Sequence, residues 1–189
     1  MISAILLAAG QSKRMSGENK LTKNFLGFPL INHSVKNILE SSIDELIIVL
    51  GYEKEILEKL IGKNNKIKFI FNKDFESGVA SSIKVGLNHL SKKTNAFFIC
   101  LGDMPLVNKD IYNLLIKSKN SKEIIIPTYK RKLGNPALFS IFMKDKIANI
   151  AGDFGAKKII EVNKKKVFYV PLNFSGVISD FDTKDDFVI

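Results

Sequence analysis

Ile2 to Leu7 form a nearly unbroken apolar run that stops at Ala8, Ala9 and Gly10. A run of this kind reads as a parallel strand buried on both faces, since a strand with one wet face would alternate apolar and polar residues. A strand that ends in a side-chain-poor turn leaves backbone N–H groups free to face a ligand. Ser12, Lys13 and Arg14 follow in the turn, with Lys20 shortly beyond. They add a hydroxyl and fixed positive charge suited to an oligophosphate. The loop is spelled neither GxxxxGKS/T nor GxGxxG, so the common phosphate-loop and dinucleotide-fold signatures are absent.

Downstream of this strand the chain alternates helix and strand signals at a spacing that suits right-handed crossovers. The patterns predict helices over Leu30 to Ser41, Glu53 to Ile61, Ala80 to Leu90 and Lys109 to Lys117. They predict strands over Glu45 to Leu50, Ile67 to Phe71, Ala96 to Leu101 and Glu123 to Pro127, after which the pattern loosens. Ala96 to Leu101 is the most apolar and is expected to be central. With 189 residues, 46% of them hydrophobic, the expectation is a single α/β domain over residues 1–189, a three-layer α/β/α arrangement around a mostly parallel sheet.

The formal charge of +10 would suit nucleic acid if it were concentrated. The lysines are instead scattered among carboxylates, so a solvated surface and small anionic substrates are expected, with no nucleic acid partner. Of the 29 basic residues only Arg14 and Arg131 are arginine, the side chain whose planar fork grips phosphate in a fixed geometry. Cys100 is the one cysteine. Inside an apolar run it reads as a small core residue in a reducing compartment. No stretch has membrane-spanning length, and the N-terminus enters a strand without a basic region and apolar signal core, so a cytoplasmic protein is expected.

Ligands of open α/β sheets lie beyond the carboxyl ends of the strands. The residues that end the predicted strands are Ala8-Ala9-Gly10, Gly51, Asn72 and Gly102-Asp103. An aspartate fixed at the end of a buried strand beside a phosphate loop suits a divalent metal that holds nucleotide phosphates. Near the other end lie Asp180, Asp182, Asp185 and Asp186. Thr183 with Asp186 three residues on has the form of a helix-starting capping box. Asp180 and Asp182 would face one side of an extended segment, and either one would serve as a second metal carboxylate. His33 and His89 both fall in helical segments and read as surface or satisfied side chains.

Six segments in order carry a family resemblance: Leu7 to Met15 with Lys20, Gly78 to Ile83, Gly102 to Val107, Gly134 to Phe139, Gly152 to Lys157 and Asp180 to Thr183. The set resembles the MobA-like nucleotidyltransferases that build dinucleotide forms of the molybdenum cofactor, and most closely the cytidylyltransferases among them. The resemblance spans almost the whole chain and implies their Rossmann-like nucleotidyltransferase fold. It further implies that Leu7, Ala8, Ala9, Gly10, Gln11, Ser12 and Arg14 hold a triphosphate, with Lys20 against the α-phosphate. Arg14, Lys20 and Asp103 would be catalytic, and Asp103 with Asp182 would hold Mg²⁺. Asn72, Gly78, Ser81, Ser82 and Gly102 would complete the nucleotide site. Gly134, Asn135, Pro136, Gly152, Asp153, Gly155 and Lys157 would line the acceptor side. Asn135 stands where the family commonly has histidine, Lys157 where it usually has arginine, and Ser16-Gly17-Glu18 lengthens the approach to Lys20.

The same resemblance implies CTP and a molybdopterin-type cofactor as substrates, with room for a recipient molybdoenzyme as partner. Ala9, the second small residue of the loop, goes with cytidine in this family, where a glycine goes with guanosine. A phosphate-monoester acceptor, with a second pKa of about 6, is already an anionic nucleophile near neutral pH, so no general base is required. Two alternatives share parts of this pattern. A nucleotidyltransferase for another phosphorylated small molecule, using GTP or a sugar phosphate, would keep the phosphate and metal residues. A non-catalytic cofactor-handling module would keep the fold but would have little need of both Lys20 and Asp103.

Overall fold

The computed structural model describes the whole chain except residues 13–14, 16–17, 120, 150–156 and 188–189, together with the Lys184 side chain. The strands are β1 (Ile2–Ala8), β2 (Asn24–Phe25), β3 (Phe28–Pro29), β4 (Glu45–Leu50), β5 (Ile67–Phe71), β6 (Ala96–Leu101), β7 (Ile124–Tyr129), β8 (Lys132–Leu133), β9 (Ala137–Ser140) and β10 (Val167–Pro171). The helices are α1 (Leu30–Leu39), α2 (Lys54–Ile61), α3 (Val79–Asn88), α4 (Lys109–Lys117), α5 (Lys144–Ala148) and α6 (Lys157–Val162).

One sheet runs in the order β10-β7-β9-β6-β1-β4-β5, with β8 paired to β7, and β2-β3 form a separate hairpin. The pairs β1–β4, β1–β6, β4–β5 and β7–β10 are parallel, whereas β9 is antiparallel to both β6 and β7. β6 is central, as its apolar content predicts. The loosened pattern after Pro127 corresponds to this antiparallel insertion, in which the chain turns back through the short β8 and β9 instead of making a helical crossover. The sequence places the start of α2 at Glu53, but Glu53 has φ 52°, a left-handed conformation, and the helix begins one residue later.

Residues alternate across β1 as two layers require. Ala4, Leu6 and Ala8 join a cluster with α1, α2 and α4, while Ile5 joins the opposite cluster with α3, α5 and α6. The sheet is therefore covered on both faces, and its strands read as near-continuous apolar runs for that reason. Cys100 lies on the first of these faces beside Tyr112, fully buried, and burial pushes its thiol up to about 12.

The amino ends of the central strands are closed by a polar network. Buried Glu45 accepts from Ser3 Oγ at 2.8 Å and Lys68 Nζ at 2.5 Å, and Ser3 Oγ also pairs with Thr94 Oγ1 at 2.8 Å. Burial opposes ionisation of Glu45, but these donors outweigh it and hold the carboxyl below its ordinary value. The carboxyl ends are left for the site. Register pairs Ala8 with Leu50, Leu50 with Phe71 and Leu7 with Leu101, so the loops after β1, β4, β5 and β6 leave from one rim.

Gly86 sets how closely α3 approaches this sheet. A Cβ there would lie 2.3 Å from Ile5 Cγ2 and 3.3 Å from Val49 Cγ2, so a mid-helix residue of poor propensity is tolerated for its packing. Gly86→Ala should push α3 off β1 and β4, at a cost of about 1–3 kcal/mol for overpacking. A fall in Tm of roughly 2–4 °C per kcal/mol, measured by thermal melting, checks this; an unchanged or raised Tm would contradict the close approach.

Candidate active site

The loop after β1 forms one wall of a cavity of roughly 500 Å³ lined by Leu7, Ala8, Ala9, Gly10, Gln11 and Ser12. Ser12 takes φ 51°, which turns the chain sharply. Its hydroxyl accepts from Lys20 N at 3.1 Å and donates to Asn19 Oδ1 at 3.5 Å, so it ties the loop to Lys20. Asn19 caps the 3₁₀ turn Lys20–Thr22 by accepting from Leu21 N. Ser12, Asn19 and Lys20 are thus tied together. Arg14 lies outside the described residues.

The opposite wall is the start of α3. Gly78 takes φ 107° and ψ 171°, a conformation open to glycine and strained for other residues, and this sharp entry brings Gly78, Val79 and Ser82 to the cavity. The helix N-terminus carries no side-chain cap, and its positive dipole end suits an anion. The structure does not bring Asn72 and Ser81 to this wall. Asn72 Nδ2 donates to Ser81 Oγ at 2.8 Å and Ser82 Oγ at 3.0 Å, and its Oδ1 accepts from Asp74 N at 3.0 Å. With those bonds made, Asn72 holds the loop in shape from behind, and Ser81 Oγ is engaged with the carbonyls of Asp74 and Gly78.

Phe75 and Glu76 line the cavity without having been expected from the sequence. Phe75 packs over Gly51, where a Cβ would come within 2.7 Å of both its side chain and Ala9 O. Glu76 Oε1 accepts from Gln11 Nε2 at 2.7 Å, joining the two walls. An aromatic residue set in an otherwise polar loop just before Gly78 is the signal that would have pointed to them.

The floor carries the charge. Gly102 and Asp103 close β6, and Gly102 N donates to Leu7 O at 3.1 Å, which fixes Asp103 beside the phosphate loop. Asp182 arrives from the C-terminal segment. Phe181 N donates to Asp103 O at 3.0 Å, and the Phe181 ring sits edge-on to Phe25 at 4.8 Å and to Phe187 at 5.5 Å. Asp186 Oδ2 accepts from Asp182 N, Thr183 N and Thr183 Oγ1 at 2.7–2.9 Å, the local capping role expected of it. Between the two carboxylates lies Lys20, whose Nζ contacts Asp103 Oδ2 and lies 2.5 Å from Asp182 Oδ1. Burial alone would lower the Lys20 pKa, but the two carboxylates outweigh it and hold the ammonium above its ordinary value. Asp180 is exposed; partial burial and the charges of Asp182 and Asp103 raise its carboxyl.

Asp103 Oδ1 is buried without a hydrogen-bond partner, an acceptor left for a cation or a water. Among the described residues no group of three or more His, Cys, Asp or Glu could enclose a metal. Two carboxylates facing a phosphate-binding loop nevertheless fit Mg²⁺, which is commonly held by one or two carboxylates plus substrate phosphates and water.

Gly134, Asn135 and Pro136 do not line the cavity. Asn135 N donates to Val177 O at 2.7 Å, and a Cβ on Gly134 would lie 2.8 Å from the same oxygen. This loop is therefore packed on the segment that leads to Asp182. Lys157 is exposed at the start of α6, and Gly152, Asp153 and Gly155 lie outside the described residues. His33 Nε2 pairs with Phe25 O at 2.6 Å and His89 Nδ1 with Val85 O at 2.8 Å, so both histidines are satisfied away from the cavity.

A glycine-ended strand, an uncapped helix start and two carboxylates around one lysine, gathered at the carboxyl rim of a mostly parallel sheet, define a nucleotide-handling α/β enzyme. The chain belongs to the MobA-like NTP transferase domain family, whose model matches residues 4–167, and it is a nucleotidyltransferase. It is 26% identical over 197 residues to the molybdenum cofactor cytidylyltransferase of Escherichia coli K12, covering 99% of this chain and 94% of that protein. It is 27% identical over 160 residues to a probable molybdenum cofactor guanylyltransferase of Methanosarcina acetivorans, covering 82% of this chain and 70% of that protein. The crystal structure of Rv0371c from Mycobacterium tuberculosis H37Rv superposes with a TM-score of 0.86 at 23% identity, covering 98% of this chain and 94% of that one. A manganese complex of the same protein superposes with a TM-score of 0.81 at 21% identity, covering 98% and 95%.

The two acidic positions separate function from local structure. Asp182→Asn should lower turnover on the order of 10²-fold or more, comparable to removing one electrostatic contact to a reacting centre. Asp186→Asn should cost about 1 kcal/mol of local stability and leave turnover within roughly tenfold. Steady-state rates of pyrophosphate release check both, and the reverse order would show that Asp186 is the functional carboxylate.

Proposed function

We propose that this chain, acting as one nucleotidyltransferase domain in the cytoplasm, transfers CMP from CTP to the phosphate of a molybdopterin-type cofactor and releases pyrophosphate. The observation that carries the reading is the convergence of the phosphate loop, Lys20, Asp103 and Asp182 on one cavity. The similarity to a cytidylyltransferase along 99% of the chain supports the cofactor class.

In this reading the triphosphate lies along Leu7 to Ser12, with the base toward Phe75, Gly78 and Ser82. An oxygen of the acceptor phosphate attacks the α-phosphorus, the bond from that phosphorus to the bridging oxygen breaks, and pyrophosphate carries the electron pair away. No proton has to be removed from the nucleophile, which agrees with the absence of histidine from the cavity wall. Asp103 and Asp182 would hold Mg²⁺, which supplies charge neutralisation on the phosphates when bound. Lys20 stabilises charge that accumulates on the α-phosphate and the departing group. The loop Gly134 to Pro136, fastened to the segment before Asp182, stands on the acceptor side.

If Lys20 acts on the reacting phosphates, its charge matters more in the transition state than in the bound substrate. Lys20→Ala should lower kcat more than it raises the KM for CTP, and a pure KM effect would make it a docking residue.

Base choice turns on Ala9, buried at the cavity wall. Its methyl group takes space that glycine would leave to a larger base, a difference worth roughly 1–3 kcal/mol, or about tenfold to two-hundredfold. With equal CTP and GTP in competition, CTP should win by that margin. Ala9→Gly should narrow the ratio without inverting it. Pyrophosphate release with each nucleotide, with and without a molybdopterin-type acceptor, tests the assignment. Preference for GTP would replace it with guanylyl transfer, and turnover with sugar phosphates in place of the pterin would overturn the acceptor class.

A further inference from the structure

Asp103 and Asp182 come from distant parts of the chain and face each other across the Lys20 ammonium. All three side chains are less than one-fifth exposed, so solvent screens their charges only in part. Without positive charge between them the carboxylates would repel, which would work against the placement of Asp182 that the flanking Phe181 and Asp186 contacts fix from either side. The Lys20 backbone is fixed independently, by Ser12 Oγ and by the Asn19 cap. Only its flexible four-carbon stem is free to choose between the carboxylates and the phosphate loop beside it. Asp103 Oδ1 meanwhile remains buried and unpartnered, so the lysine does not exhaust the acceptors of the site.

We infer that Lys20 is a stand-in cation: in the nucleotide-free protein it holds Asp103 and Asp182 in the arrangement that later receives a divalent ion, and it is released toward the phosphates when that ion takes its place. The charges account for the exchange. A divalent cation offsets the charge of Asp103 and Asp182 more fully than one ammonium does, and the displaced ammonium supplies +1 where a triphosphate lies. Lys20 therefore has a positioning role at the metal carboxylates in addition to its role at the α-phosphate. The same ammonium cannot serve both at once. The inference rests on Asp103 and Asp182 being the metal carboxylates.

Pulsed acetylation of the full chain, read residue by residue by mass spectrometry, reports whether Lys20 is engaged. Lys36, whose side chain is 73% exposed, serves as the internal reference. In chelator, Lys20 should label severalfold more slowly than Lys36. Saturating Mg²⁺ without nucleotide should raise the Lys20 rate severalfold and leave Lys36 unchanged, and Asp182→Asn should label rapidly in either condition. In parallel, Mn²⁺ binding followed by electron paramagnetic resonance should be tighter in Lys20→Met than in the wild type, since a competitor has been removed. Binding to Lys20→Met with none to the wild type would support the exchange in its strongest form. Mn²⁺ binding to the wild type with no change in Lys20 labelling would overturn the inference and leave the metal assignment standing. Failure of both proteins to bind Mn²⁺ at millimolar concentration would overturn the inference and the metal assignment together.

Discussion

Two carboxylates brought into contact with one ammonium repel each other across it, and the candidate site of this protein is built around keeping Asp103 and Asp182 in that arrangement. One lies at the end of the central strand β6, and the other in a C-terminal segment with little regular structure. The Lys20 ammonium between them links the phosphate loop, the central strand and the chain's last turn. Each of the other features around the site either fixes one of these three groups or leaves room beside them.

The C-terminal segment shows how an irregular stretch can be placed as firmly as a strand. Val177 is fully buried, Phe181 is clasped between Phe25 and Phe187, and its backbone N–H reaches the carbonyl of Asp103 itself. The small hairpin β2-β3 takes no part in the main sheet, yet it supplies Phe25, and His33 fastens that residue from the far side. Aromatic burial of this kind, with side chains that bury 150–250 Å² each, substitutes for the missing ladder of hydrogen bonds. The loop at Gly134 is packed onto the same segment, so it and Asp182 are positioned through shared contacts.

Much of the fold was legible because buried parallel strands announce themselves as short apolar runs. β1, β4 and β6 are such runs, the edge strand β5 is a half-buried one, and their ends marked the rim. β9 was not legible, because four residues inserted antiparallel between β6 and β7 leave too short a pattern, and no periodicity in Ala137–Ser140 tells which neighbours it will take. At the site, the loop after β1, Lys20 and Asp103 lie at one cavity with Asp182, which the residues alone did not separate from Asp180 and which the family resemblance favoured. Asn72 and Ser81 have the right residue types for reading a base, but their polar atoms are consumed by one another and by the backbone, a bookkeeping that no spacing reveals. Phe75 and Glu76 went unnoticed for the opposite reason: they sit in a loop whose folding back over Gly51 depends on contacts remote in sequence.

Cys100 carries a consequence unrelated to turnover. Its thiol lies in the centre of the sheet, fully buried and raised to about 12, so at neutral pH it presents almost no thiolate to an electrophile. As the chain has no other cysteine, the folded protein is chemically silent toward maleimides and iodoacetamides. A cysteine introduced at the cavity rim would then be the sole point of attachment for a fluorophore or spin label, and ligand binding at the cavity could be followed without first engineering the native thiol away.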